Sequence, residues 1–361
     1  MKILVVYATA GAGHKKAAEA LYQGLLAQGF QDVVYLDVLE YTNHFYKNLY
    51  SRLYTFLVTH MSWLWGLSFF IADMPFLQPL MRLLRRVHNT VHAGRFHRYL
   101  VKEQFDVIMS THFFPNEVAG YLKRKGRIHA RIICSVTDFD VHHIWLASGV
   151  DDFTVASDWT RDKIVRLGVP ADQVQVTGIP VAAKFSEPKD TAALKQKFGL
   201  DAEAFTLLLA TGSFGIGPIE AIIESLQGFQ IMVVCGHNRG LYQRLRRQEK
   251  RLVKIFGLVD NMDELMAVAD AMVTKPGGLS ISEALVSGLP LVFFNAIPGQ
   301  ESHNIAVLKQ HGIGITPRSI EDMRMRLISW RDSPPAFQAA REKTRALARP
   351  QAVNDIIDVI R

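Results

Sequence analysis

The sequence predicts an α/β protein of two domains, each a doubly wound parallel sheet. Three observations carry this expectation. At 361 residues the chain is longer than one hydrophobic core usually serves. Short apolar runs alternate with helical stretches through both halves, the pattern of strand–helix–strand units. Each half also opens with a strand, a glycine turn and a helix start. In the first half, residues 2–9 precede Ala10-Gly11-Ala12-Gly13-His14; in the second, 205–211 precede Gly212-Ser213-Phe214-Gly215.

Composition narrows the class. Hydrophobic residues make up 49% and charged residues 21%, which describes a globular chain rather than a disordered one. The formal net charge is +7, a balance that suits nucleic acid, an anionic bilayer or a phosphorylated substrate. Nucleic acid ranks last, because no known nucleic-acid module is present. The two cysteines, Cys134 and Cys235, lie in apolar strand-like runs and read as small buried hydrophobes. Neither has ligands at zinc spacing, so no metal is expected. The N-terminus enters a strand directly, without a basic stretch and a cleavage site, and a cytoplasmic chain is expected.

In chain order, residues 2–9 form a continuous apolar run, as for a parallel strand covered on both faces. Gly11 and Gly13 then allow a tight turn, and His14 opens a helix that runs to about residue 28. The third glycine of a dinucleotide fingerprint is replaced by Lys16, which argues against that cofactor. His14 belongs at the carboxyl ends of the strands, where open α/β sheets place their ligands. Further strands are expected at 33–38, 106–111, 131–137, 153–156 and 174–177.

Residues 42–100 interrupt this rhythm as a helical, amphipathic insertion. From 53 to 72 there is no Asp, Glu, Lys or Arg, the length of a membrane span. Polar residues within the run, and Trp63 and Trp65 at its middle rather than its ends, argue against spanning. Beyond it, Leu80, Leu83, Leu84 and Val87 fall at helical spacing, with Arg82, Arg85 and Arg86 off that stripe. Between residues 43 and 100 seven Lys/Arg stand against one acid, Asp73. Basic charge beside aromatic and aliphatic bulk predicts a surface that rests on an anionic bilayer, through Trp63, Trp65, Arg82, Arg85 and Arg86. The alternative is an insertion packed on the first domain with its arginines solvated.

The segment Val136-Thr137-Asp138-Phe139-Asp140-Val141-His142-His143-Ile144-Trp145 ends another strand and puts Asp138 and Trp145 near the same site. Asp138 is placed to orient His14 or to hold a hydroxyl. Adjacent histidines point apart, so a metal at His142 and His143 is discounted. After a connection at 178–188, the second series expects strands at 205–211, 230–235, 252–257, 271–274, 291–294 and 314–316. Lys275-Pro276-Gly277-Gly278 follows the fourth of these and opens a helix with Glu283 one turn inside. That arrangement suits a nucleotide with a free ribose. Phe256 and Val259 flank another strand end and suit a base. Gln300, Glu301 and Asn304 open a further helix, with Gln300 and Asn304 on one face. The two glycine turns are expected to face a shared interdomain cleft.

Taken together, Gly11-Ala-Gly-His14, Val136-Thr-Asp138, Lys275-Pro-Gly-Gly278 with Glu283, and Pro298-Gly-Gln-Glu301 with Asn304 resemble one family in one order. The chain is similar to the monogalactosyldiacylglycerol synthase and processive diacylglycerol glucosyltransferase group of glycosyltransferase family 28. Its second half is also similar to the peptidoglycan enzyme that adds N-acetylglucosamine to a lipid-linked precursor. Plant galactolipid synthases of the group carry three glycines before the histidine, whereas this chain has Gly11-Ala12-Gly13.

The resemblance implies the GT-B arrangement: two Rossmann-like domains with a cleft between them and C-terminal helices crossing back to the first. Residues 1–182 would hold the acceptor and the membrane, 189–335 the UDP-sugar, and 336–361 the returning helices. It implies transfer of glucose or galactose from the UDP-sugar to the sn-3 hydroxyl of diacylglycerol. Inversion at the anomeric carbon without metal or other cofactor is implied, at the cytoplasmic face of the cell membrane. His14 would be the base and Asp138 its partner. Gly212, Ser213, Phe214 and Gly215 would hold the diphosphate, with Lys275 in support. Gly277 and Gly278 would aim Glu283 at the ribose. Phe256 and Val259 would take the uracil, and Gln300, Glu301 and Asn304 the sugar. Gly11, Gly13 and Trp145 would stand on the acceptor side. Another lipid-linked acceptor, or UDP-sugar epimerisation on the same fold, stays open as an alternative.

Overall fold

The computed structural model describes residues 1–9, 11–42, 56–57, 60–210, 212, 217–247, 249–294 and 296–361, without the side chains of 82 and 86–91. The chain divides into two compact units. One comprises 1–182, 297–304 and 349–361; the other comprises 183–296 and 305–348. The division departs from the expected boundaries at two places. The helix Pro334–Ala346 stays with the second unit, where Phe337 packs edge-on against Phe205 with ring centres 5.2 Å apart. Only the last thirteen residues join the first unit, together with the short segment that carries Gln300, Glu301 and Asn304.

The first unit holds six parallel strands in the order β2-β1-β3-β4-β5-β6. They are β1 (Ile3–Tyr7), β2 (Val33–Asp37), β3 (Val107–Ser110), β4 (Arg131–Ser135), β5 (Asp152–Val155) and β6 (Val174–Val176). Every residue of β1 is buried, because helices cover both faces of the sheet. Leu4 and Val6 pack with Ile108, Phe96 and Leu100 on one face. Ile3 and Val5 pack with Leu21, Leu25 and Ile356 on the other. The helix α1 (Ala12–Ala27) meets the C-terminal helix Ala352–Asp358 at Gly24, where an added Cβ would lie 2.2 Å from Val353 Cγ1. Glycine is what lets these two helices approach so closely.

The second unit holds five parallel strands in the order β11-β10-β7-β8-β9. They are β7 (Thr206–Ala210), β8 (Gln230–Val234), β9 (Val253–Phe256), β10 (Ala271–Thr274) and β11 (Leu291–Phe293). The strand expected at 314–316 is reduced to one parallel bridge, between Val292 and Ile315. Gly314, at φ +73, turns the chain away beside the Phe293 ring.

The insertion is helical where it is described: α2 (Ser62–Asp73), α3 (Gln78–His92) and α4 (Gly94–Glu103). Pro75 breaks the run between α2 and α3, because it cannot donate to a preceding helical carbonyl. Among the described residues no single helix is long and apolar enough to cross a membrane. The pair Ser62–Asp73 and Pro75–Arg85 reaches that length and composition only together, with a 73° bend.

Candidate active site

Each sheet has one point where the strand order reverses, and open α/β sheets bind ligands there, beyond the carboxyl ends of the strands. In the first unit the reversal lies between β1 and β3. His14 follows β1, Thr111 and His112 follow β3, and the three meet across that point. The Thr111 hydroxyl donates to the His14 carbonyl at 2.8 Å. His14 Nδ1 lies 2.7 Å from the Thr111 carbonyl oxygen and 3.0 Å from Thr137 Oγ1. A carbonyl only accepts, so Nδ1 carries the hydrogen and Nε2 keeps its lone pair. Gly11, at φ +133, provides the backbone turn that delivers His14 to this position.

His112 was not singled out by the sequence, although it too follows a parallel strand directly. It caps the helix α5 (Phe113–Arg124), with Nδ1 accepting from the Phe114 amide at 3.1 Å. Its hydrogen is therefore on Nε2, the opposite tautomer to that of His14. The two rings stand edge to face, 4.7 Å apart. Burial pushes His14 down to about 4 and His112 well below the ordinary histidine value, so both are neutral near pH 7.

Around these histidines lies a cavity with a largely aromatic wall, built from Trp65 and Phe69 of α2, Phe113, Ile144 and Trp145. The Trp145 ring centre is 6.0 Å from that of His14. Asp138 also reaches the cavity, but the expectation that it orients His14 is revised. Gln300 Nε2 donates to both of its carboxylate oxygens at 2.8 Å, and Asn304 Nδ2 lies 3.3 Å from one of them. The Thr111 carbonyl takes the orienting place instead. Asn304 is fully buried, and its own oxygen accepts from the Phe139 amide at 2.8 Å. Burial raises the Asp138 carboxyl to about 6, against the pull of Gln300 and Asn304. Glu301 accepts from the Ile297 amide at 2.6 Å, which ties the start of its helix to the segment before it.

In the second unit the strand order reverses between β7 and β10. Gly212 follows β7, and Lys275, Gly277 and Gly278 follow β10, so both flank that point. Ser213, Phe214 and Gly215 lie outside the described residues. Glu283 is buried in the helix Gly278–Val286. The Gly277 amide closes a tight turn on the Lys275 carbonyl at 2.9 Å, but its φ of −74° and ψ of 136° suit any residue. A Cβ there would meet no atom within 4 Å. The Phe256 ring packs edge-on against Phe198, 5.8 Å away, and Val259 lies just beyond the same strand. Among the described residues no group of three His, Cys, Asp or Glu is arranged to hold a metal ion.

The residues expected at a bilayer separate. Trp63 is 64% exposed, with Phe70 and Phe76 exposed beyond it. Trp65, two positions on, turns about 200° around the helix and lines the cavity instead. Arg85 is also corrected: its guanidinium is half-buried against Glu117 at 2.9 Å. Among its described side chains α3 exposes apolar ones, with Leu80, Leu83 and Leu84 each more than half exposed. Arg82 and Arg86 lie outside the described side chains.

Comparison with known proteins agrees with this architecture. Residues 14–181 match the monogalactosyldiacylglycerol (MGDG) synthase family, and residues 218–321 match the glycosyltransferase family 28 C-terminal domain. A processive diacylglycerol beta-glucosyltransferase of Bacillus cereus (strain B4264) is 28% identical over 366 residues, covering 99% of this chain and 93% of the relative. Among solved structures, Anabaena Alr3699/HepE in complex with UDP-glucose aligns with 100% of this chain and 99% of its own, at 14% identity and a TM-score of 0.57. The UDP-GlcNAc 2-epimerase of Neisseria meningitidis aligns with the same coverage at 11% identity and a TM-score of 0.63. These last two likenesses concern the fold, which is GT-B with two Rossmann-like units. With both halves matched and a full-length likeness to a diacylglycerol glucosyltransferase, the chain belongs to the monogalactosyldiacylglycerol synthase and processive diacylglycerol glucosyltransferase group of glycosyltransferase family 28.

Proposed function

We propose that this glycosyltransferase moves a hexose from a UDP-sugar to the sn-3 hydroxyl of diacylglycerol at a bilayer surface, with inversion at the anomeric carbon. The observation that carries the reading is His14. Its Nδ1 hydrogen is held on the Thr111 carbonyl, which leaves Nε2 as the one ring atom able to take a proton, in an aromatic-walled cavity. The acceptor oxygen attacks the anomeric carbon as its proton passes to Nε2. The bond from that carbon to the UDP oxygen breaks, and the electron pair leaves with UDP. An imidazole pushed down to about 4 is a weak base, so proton transfer accompanies bond formation rather than preceding it.

The donor belongs to the second unit in this reading, with its diphosphate at the Gly212 turn and Lys275, its ribose on Glu283, and its uracil by Phe256 and Val259. Backbone N–H groups and a helix start replace a metal in steadying the leaving group. Glucose and galactose are both admitted, and UDP-glucose is the molecule bound in the HepE complex. The exposed apolar side chains of α2 and α3 rest on the cytoplasmic leaflet and hold the enzyme there peripherally, with its basic charge favouring anionic lipid.

The test offers UDP-glucose and UDP-galactose separately with diacylglycerol vesicles, with and without EDTA, and reads products by mass analysis and the anomeric coupling by NMR. A β-glycosyldiacylglycerol formed equally well in EDTA, and abolished in His14→Ala with UDP affinity kept, supports the reading. Epimerised UDP-sugar with no lipid product overturns it.

A further inference from the structure

Asp73 is the only acid between residues 43 and 100, where seven Lys/Arg accompany it. It is also the last residue of α2, where a carboxylate meets the negative end of the helix dipole. Neighbouring cations favour the carboxylate while the helix end opposes it, and its specific partners come from the loop that builds the reaction cavity. The His143 amide donates to Asp73 Oδ1 at 2.9 Å, and His143 Nδ1 lies 2.7 Å from the same oxygen. Next to it, His142 Nε2 lies 3.0 Å from the Phe69 carbonyl, one helical turn back along α2. The His142 ring packs at a tilt of 47° against Phe69, with ring centres 4.2 Å apart. His142 Nδ1 accepts from the Ile144 amide at 3.0 Å, so the Nε2 hydrogen is the one given to α2.

The two elements joined here do different work. One side of α2 carries the exposed Trp63 and Phe70, and the other lines the cavity with Trp65 and Phe69. The loop carries Trp145 beside His14. Building on the proposed acceptor, we propose that Asp73 is a positioning residue: it latches the bilayer-facing helix to the reaction loop, so that a glycerolipid passes from the bilayer to His14 along one continuous apolar wall. The paired histidines, at odds with a metal site, serve as the two teeth of this latch.

The test compares wild type with Asp73→Ala, Asp73→Asn and His143→Ala. Transfer to diacylglycerol in phosphatidylglycerol-containing vesicles is measured beside UDP affinity by calorimetry, vesicle sedimentation and Tm. Losing hydrogen bonds to a charged group raises the acceptor KM of Asp73→Ala by about tenfold or more. UDP affinity and sedimentation stay at the wild-type level, and Asp73→Asn, which keeps an acceptor oxygen, recovers part of the loss. Should Asp73→Ala fail to fold, His143→Ala keeps the backbone bond and shows a smaller rise in the same KM. An unchanged acceptor KM in folded variants, or a rise matched by an equal loss of UDP affinity, overturns the latch. Failure of wild type to make any glycolipid overturns the acceptor reading instead and is seen before any variant is compared.

Discussion

Gln300 holds Asp138 symmetrically, its amide nitrogen 2.8 Å from each carboxylate oxygen. The carboxyl is buried and raised to about 6, and Gln300 is the strongest influence keeping it from rising further. Gln300→Leu therefore leaves Asp138 with Asn304 alone and raises it again. As pH rises above 6 the variant must hold a proton that wild type releases or bury a poorly satisfied charge, at a cost that grows to about 1.5–3 kcal/mol. Below that pH wild type and variant both protonate, and most of the cost disappears. Urea unfolding at pH 8 and pH 5 checks this; an equal loss at both would show that Gln300 acts by packing.

The sequence carried the frame of this site and not its wiring. Strand runs, glycine turns and the position of His14 at a strand end all follow from local chemistry, whereas the strand order that sets both reversal points is seen only in the structure. The Asp138–Gln300 pair spans 162 residues, and no local signal sets it. Trp63 and Trp65 sit in a run without charges, so nothing in the pattern sets the rotation of α2 about its axis. The structure turns Trp65 inward and Trp63 outward. Arg85 reads as a surface cation until Glu117, from another helix, meets it. His112 was legible in principle, since Ser110-Thr111-His112 ends a strand just as Val136-Thr137-Asp138 does.

The bilayer face should respond to apolar substitutions rather than to Arg85. Trp63, Phe70 and Phe76 are exposed, and moving each into hydrocarbon is worth about 1.5–3 kcal/mol. Replacing all three with Ser should weaken partitioning to anionic vesicles by tenfold or more, read by sedimentation. Arg85→Gln should leave sedimentation unchanged and lower Tm, because its partner Glu117 lies within the first unit. The reverse pattern would place the bilayer on the basic side of α3.

Neutral buried histidines make the fold sensitive to acid. The unfolded chain takes up a proton on histidine near pH 6.5, while His112 in the fold is held well below this by burial and by His14. Stability from keeping it neutral is present above pH 6.5 and is lost as pH falls through that value towards the folded pKa. His112→Asn keeps an oxygen to cap Phe113–Arg124 and removes the titration. Its Tm should fall less than that of wild type between pH 7 and pH 5, as measured by calorimetry. Parallel curves would assign the acid sensitivity to other groups.

Gly277 separates the demands of the fold from those of the donor. Its backbone angles suit any residue, and a methyl group there would touch no atom of the protein within 4 Å. The fold alone therefore gives no steric reason for glycine at this position. A diphosphate or ribose drawn close to the start of this helix does, because the missing Cβ lets a ligand reach the backbone N–H groups. Gly277→Ala should leave Tm within about 1 kcal/mol of wild-type stability, the range of an N-cap change. The same variant should bind UDP about tenfold or more weakly by calorimetry. If UDP affinity is unchanged, the donor does not approach the backbone at residue 277. Ribose recognition would then have to rest on side chains such as Glu283 alone, and Glu283→Ala would be the larger of the two losses.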